Sequence, residues 1–298
     1  MRSRGFIIDR NGRLKRGVRR AAAVCLSAFA LLAASAAAQK LAILTPEKPG
    51  QNSQFVAALE DSLAKKASVL DSDLSESAYR SVSPETPFNM NIETAMNTGK
   101  VIGCDYFLLV RSGNQRRASL ERPSYFEAFA SVFVVSSRTG RLVFWRLQKF
   151  ESTTPAEADV LLVNSASSLA GEISSRLRTI TAEELAEKPV RKLEEIPPDT
   201  APDAKNFRPP MPYKRIKPEY TSIAYLYGVA ATVDVLLDVD ENGNILHLEI
   251  SRWAGYGLDE AVTDAVRKMN WRAGERSGKS LPVRVLLRYN FKKIEKEE

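Results

Sequence analysis

The sequence has little of what transition-metal and redox sites are built from: one histidine, His247, and two cysteines, Cys25 and Cys104. Zinc and related ions draw on several His and Cys side chains at once, so a metal centre of the usual kind is excluded. Cys25 lies in an apolar run near the start. If that run is removed, Cys104 stands alone and no intramolecular disulfide is possible. Cys104 precedes the apolar residues 106–110 and reads as a core side chain. His247 sits in a strand pattern, out of phase with Leu246 and Leu248, and reads as a strand histidine.

Signals for a bound cofactor are equally thin. One phosphate-loop string occurs, from Ala273 through Gly278, Lys279 and Ser280. Such a loop needs a helix starting at its Lys-Ser so that amides and dipole hold phosphate. Here Leu281-Pro282 and a strand follow, so the string reads as a solvated loop. No pair of carboxylates stands in an apolar setting. Acid–base catalysis would need a cleft that gathers Asp105, Glu121 or Glu127. The expectation is a protein without enzyme activity, cofactor or metal.

An excess of one charge is also missing once the first 38 residues are set apart. Those residues carry the whole net charge of +7, and the other 260 hold 35 basic and 35 acidic side chains. A neutral remainder sets up no field for nucleic acid or anionic lipid, so nucleic-acid binding is excluded. The opening itself is patterned. Residues 1–20 hold eight Arg or Lys and one acid, and residues 21–38 are uncharged and close on Ala36-Ala37-Ala38 before Gln39. A basic stretch, an apolar run and a small-x-small site read as a secretory signal peptide cut between Ala38 and Gln39. The rival reading is a retained inner-membrane anchor, since 18 helical residues span about 27 Å. Contact with a membrane is expected only through this segment.

Four regions follow: 1–38, the signal; 39–180, an α/β domain; 181–209, a charged linker rich in proline; and 210–298, a small second domain. Proline fixes φ and removes donors, and about 30 extended residues reach roughly 100 Å. In the first domain, strands are expected at 41–44, 68–70, 105–110, 126–135 and 142–150. Helices are expected at 52–66, 91–100 and 156–177. That order describes an α/β sandwich on a mixed sheet. In the second domain, residues 229–239 alternate with period two. A turn at Asp240–Gly243 leads to a partner strand at 245–250. Leu258, Ala261, Val262, Ala265, Val266 and Met269 form one helix face, and Pro282 opens a last alternating strand. The order is strand-strand-helix-strand, and the fold class overall is α+β. Tyr225, Tyr227, Trp253 and Tyr256 are either core and rim or a recognition patch.

Two family resemblances rest on these residues. Gly103-Cys104-Asp105-Tyr106 opening a strand, with the later Thr139-Gly140 turn, resembles envelope domains of the TolB N-terminal, CsgG and LpoB type, and implies a binding module near the outer membrane or cell wall. The second domain resembles the TonB C-terminal domain. Pro218-Glu219-Tyr220, Asp240 to Gly243, Gly257-Leu258-Asp259-Glu260-Ala261, Trp271 and Pro282-Val283-Arg284-Val285 occur in the family's order. One departure is Thr221 where the family often has proline. The resemblance implies a sheet that captures a peptide by strand addition at an edge. It assigns that edge to Val283, Arg284, Val285, Leu286, Leu287 and Arg288, with Lys214, Arg215 and Tyr220 as further contacts. The implied partners are envelope proteins, including the periplasm-facing peptide of an outer-membrane transporter. A purely structural last strand, or one used to form a homodimer, stays open. So do two other roles: an inner-membrane energy transducer, and an assembly or regulatory factor of the outer membrane or cell wall. The family's anchor usually carries a histidine, and residues 21–38 have none.

Overall fold

The computed structural model describes residues 39–47, 53–120, 124–187, 193–198, 200 and 202–292. The signal or anchor segment, Ala38 and Glu121 lie outside them. Among the described residues no helix is long and apolar enough to cross a membrane.

The first half is β1 (Lys40–Leu44), α1 (Ser53–Ala64), β2 (Ser68–Val69), α2 (Ser72–Val82), α3 (Ile92–Ile102), β3 (Tyr106–Arg117), β4 (Tyr125–Ser136), β5 (Leu142–Ser152) and α4 (Pro155–Ala186). The strands form one mixed sheet in the order β2-β1-β3-β4-β5, parallel among the first three and antiparallel thereafter. Asn91 caps α3 by accepting from the Thr94 amide at 2.7 Å, and Gly103 ends it at φ +79°, a conformation open to glycine.

Both faces of this sheet are buried, which explains why residues 106–110 are apolar at every position. Leu41, Ile43, Leu108, Val110, Val132 and Val134 pack on α1 and α4 through Phe55, Leu59, Leu162, Leu169 and Ile173. The alternate residues Ala42, Leu44, Phe107, Leu109, Phe133 and Val135 face the other way, into a core shared with the second half.

That half contains α5 (Ser222–Leu226), β9 (Ala231–Val239), β10 (Ile245–Arg252), α6 (Leu258–Arg267) and β14 (Val283–Phe291). Between and before them lie short strands: β6 (Glu194–Glu195), β7 (Phe207–Arg208), β8 (Met211–Pro212), β11 (Trp271–Arg272), β12 (Gly274–Arg276) and β13 (Lys279–Leu281). The expected strand-strand-helix-strand order is present as β9, β10, α6 and β14. Their sheet runs β10-β9-β14-β6. Its inner face (Val233, Val235, Leu237, Val239) meets α6 through Leu258, Val262 and Val266 in that shared core.

The structure departs from the sequence reading in four places. Helix α2 was absent from it, because only Ser75 and Tyr79 are buried and no apolar stripe marks the helix. Helix α4 continues past Leu177 because Ile180 and Glu184 stay on its buried face. Glu184 accepts from Thr139 Oγ1 at 2.8 Å. The phosphate-loop string forms the hairpin β12–β13, turning through Ser277 and Gly278 at positive φ. Within residues 181–209, the chain holds the end of α4, β6, a 3₁₀ turn at Pro202–Asn206 and β7. The described parts of that proline-rich stretch thus include elements paired with the rest of the protein, β6 with β14 and β7 with β12.

Candidate functional site

The two halves meet through aromatic side chains and a buried polar seam. Phe133 of β4 lies 5.9 Å from both Trp253 and Tyr256, and Trp145 lies 4.9 Å from Tyr256 by ring centroids. Gly255 is required here. It sits at φ +67°, and a Cβ would come within 2.8 Å of Phe133 and Trp145. Asn89 donates to the carbonyls of Thr232 at 2.8 Å and Trp253 at 2.6 Å, and accepts from the Thr232 amide at 2.9 Å. Glu127, 1% exposed, accepts from Gln115, Arg117 and, across the seam, Tyr227 at 2.9 Å. Burial pushes its carboxyl up, but those hydrogen bonds outweigh it and hold the pKa below the ordinary value. Tyr227, Trp253 and Tyr256 thus belong to the seam, whereas Tyr225 is exposed.

Of the carboxylates named for a catalytic cleft, the two described ones are separately engaged. Asp105 accepts from the Lys40 amide at 2.8 Å, and Glu127 is held in the seam. Cys104 is buried, with its sulfur 3.4 Å from Ser137 Oγ, and burial raises its thiol pKa. His247 pairs with Asp238 in the β10–β9 ladder. Among the described residues no group of three or more His, Cys, Asp or Glu is placed to hold a metal ion.

Strand β14 carries the residues that the resemblance assigns to partner binding. It pairs with β9 along its whole length. On its other side, β6 pairs in parallel with Val283 and Arg284 only, and Glu194 of β6 is held by an ion pair with Arg276. From Val285 to Phe291 the outer edge carries no further strand among the described residues. Val283 and Val285 point into the core, and Leu286 is 51% exposed. Leu287 packs partly against the core.

The two arginines are committed elsewhere. Arg284 grips Asp238 with two bonds of 2.7 and 2.8 Å, and Arg288 grips Asp234 with two of 2.7 and 2.9 Å. Arg252 adds a third bond to Asp234 at 3.2 Å. Asp234 and Asp238 are 4% and 2% exposed. Burial raises the Asp234 carboxyl, but the Arg288 and Arg252 bonds bring it below its usual range. The arginine charges are therefore answered within the sheet. The sequence did hold a signal for this: Asp234/Asp238 and Arg284/Arg288 share a spacing of four, which an antiparallel register can match.

Of the remaining candidates, Lys214 and Arg215 are exposed. Tyr220 donates its hydroxyl to the Val229 carbonyl at 2.8 Å and stacks on Phe291. That contact fastens the chain before α5 to the end of β14. Gln39 donates to Thr181 Oγ1 at 2.7 Å.

Residues 216–292 match the family model of the Gram-negative bacterial TonB protein C-terminal. A TonB protein of Xanthomonas campestris pv. campestris is 33% identical over 75 residues, which is 25% of this chain and 34% of that protein. The chain therefore spans about a third of the length of the curated relatives it matches. The solution structure of the Pseudomonas aeruginosa TonB C-terminal domain is 22% identical with a TM-score of 0.26, covering 36% of this chain and 98% of that domain. The LpoB C-terminal domain from Salmonella enterica is 12% identical with a TM-score of 0.27, covering 43% of this chain and 93% of that one. The second half of this chain carries a TonB C-terminal domain, from Ile216 to Lys292.

Proposed function

We propose that this protein is a binding protein of the cell envelope, and that its C-terminal sheet takes an extended peptide of a partner protein along the outer edge of β14. One observation carries the reading. Among the described residues, this long strand is paired on one side only beyond Arg284, and the chain lays its own Glu194–Glu195 along Val283 and Arg284. An unpaired edge offers a row of amides and carbonyls that an added strand satisfies. Main-chain bonds supply the affinity, and exposed Leu286 reads one side chain of the partner. The TonB resemblance makes the periplasm-facing peptide of an outer-membrane transporter the first candidate. The basic and apolar pattern of residues 1–38 supports export.

The seam favours an adaptor over a reach-and-pull transducer. With Phe133, Trp253 and Tyr256 in one core, extending the C-terminal half across the periplasm means breaking that core. Peptides from the periplasmic ends of outer-membrane transporters of the same organism, titrated while amide hydrogen exchange is followed, test the reading. Slowed exchange at residues 285–291 is expected; slowing elsewhere, or nowhere, at saturating peptide overturns it.

A further inference from the structure

Among the described residues the four-stranded sheet has a second open edge, β10, on the side opposite β14. Beside it lies a cavity of about 540 Å³ between the two halves of the molecule. Two runs of consecutive residues line it: 142–145 of β5 and 247–250 of β10. Side chains alternate across a strand, so a cavity over a sheet face meets every second residue. One that meets four in succession lies against a sheet edge. Both strands are the last in their sheets, so two edges face one groove.

The edges are not equivalent. On β5, Arg176 donates to the Val143 carbonyl at 3.3 Å and answers part of the edge. On β10, pairing with the residues before α3 begins only at Arg252 and Trp253, through Asn91 and Met90. Among the described residues no strand pairs with the stretch before it. At one end, Arg141 bonds Glu249 and Glu187 at 2.6 and 2.8 Å and closes the groove. The groove also has a sign: Glu187, Glu249, Glu260 and Asp264 line it against two guanidinium groups, beside Asp259, whose carboxyl is raised by burial. Arg141 answers Glu187 and Glu249. Glu260 and Asp264, both exposed on α6, face the groove with no ion pair among the described residues.

We infer that this groove is a second peptide site, and that its occupant is an extended segment of a basic partner protein. The segment adds to β10 and sets Lys or Arg side chains toward Glu260 and Asp264. The geometry asks for backbone, because strand edges line the groove, and for positive charge, because the lining is acidic. This site does not depend on the reading of β14.

A dye-labelled nonapeptide of alternating Lys and Val, and its Glu–Val counterpart, test it on the full chain. Fluorescence anisotropy is expected to show saturable binding of the Lys–Val peptide at least tenfold tighter than that of the Glu–Val peptide. A Glu260→Gln, Asp264→Asn variant, which alters only exposed helix residues, loses at least tenfold. Bound peptide slows amide exchange at residues 246–250, and Leu74→Asp on α2, 73% exposed and away from both edges, leaves binding unchanged. Binding that does not saturate, equal affinity of the doubly substituted variant, or no slowing of exchange at residues 246–250 at saturating peptide overturns the proposal.

Discussion

The indole N–H of Trp253 donates to the carbonyl of Gly140 at 3.1 Å, joining the loop after β10 to the turn between β4 and β5. Trp253 is 1% exposed, so the bond lies out of water and ties the two halves at a point that solvent does not compete for. Trp253→Phe keeps most of the ring and leaves the carbonyl unpaired, at a cost of about 1–3 kcal/mol. Phe133→Ala removes the ring that Trp253 and Tyr256 pack on, at about 3–5 kcal/mol. Because the core is shared, urea unfolding of either variant, followed by tryptophan fluorescence and by circular dichroism, should remain one coincident transition at a lower midpoint.

Two glycines separate space from backbone strain. Gly103 sits at φ +79° with nothing near its missing Cβ, whereas Gly255 at φ +67° is crowded by Phe133 and Trp145. Gly103→Ala should cost about 1–2 kcal/mol for the left-handed backbone alone. Gly255→Ala adds overpacking of the seam and should cost at least about 3 kcal/mol. Paired denaturation curves check the order.

The arginines of β14 should differ in the same way. Arg284→Ala leaves Asp238 buried without its bidentate partner, at about 3–5 kcal/mol. Arg288→Ala leaves Asp234 with Arg252, and Arg288 is the more exposed of the two. About 1 kcal/mol is expected there. If the arginines instead serve a partner, both substitutions spare stability and weaken binding.

Two carboxyls give opposite pH dependences. Asp259 accepts from the amides of Ala254 and Gly255 at 2.9 and 2.8 Å, and burial pushes it up to about 7 against the pull of those bonds. Its folded value exceeds its ordinary 3.8, so its contribution is full below about 3.8 and is lost as pH rises through about 7. Glu127 is held below its ordinary 4.5. Its contribution is present above that value and is lost as pH falls through the folded one. Asp259→Asn should therefore flatten the decline in urea midpoint between pH 4 and 7. Glu127→Gln should flatten the loss below pH 4.5.

The legible part of the fold was the part whose burial leaves a period in the sequence. Residues 229–239 alternate because one face of β9 meets the core, and α6 repeats at helical spacing for the same reason. Residues 106–110 announced burial on both faces, without saying what covered the second. That cover is the C-terminal half, and its docking was hidden because Tyr227, Trp253 and Tyr256 look alike as core or as recognition surface. Helix α2 left no stripe to read. At β14 the strand itself was legible, but the use of Arg284 and Arg288 within the sheet depends on a register that sets them opposite Asp238 and Asp234.

The account turns on where a partner touches β14, and photo-crosslinking in living cells tests that most directly. A photoreactive amino acid at Leu286, beside the open edge, is compared with one at Leu74, which is 73% exposed on α2. The account predicts adducts with an outer-membrane protein from position 286 and none from position 74. Equal labelling from both positions, or adducts at 286 that contain only a second copy of this chain, contradicts it.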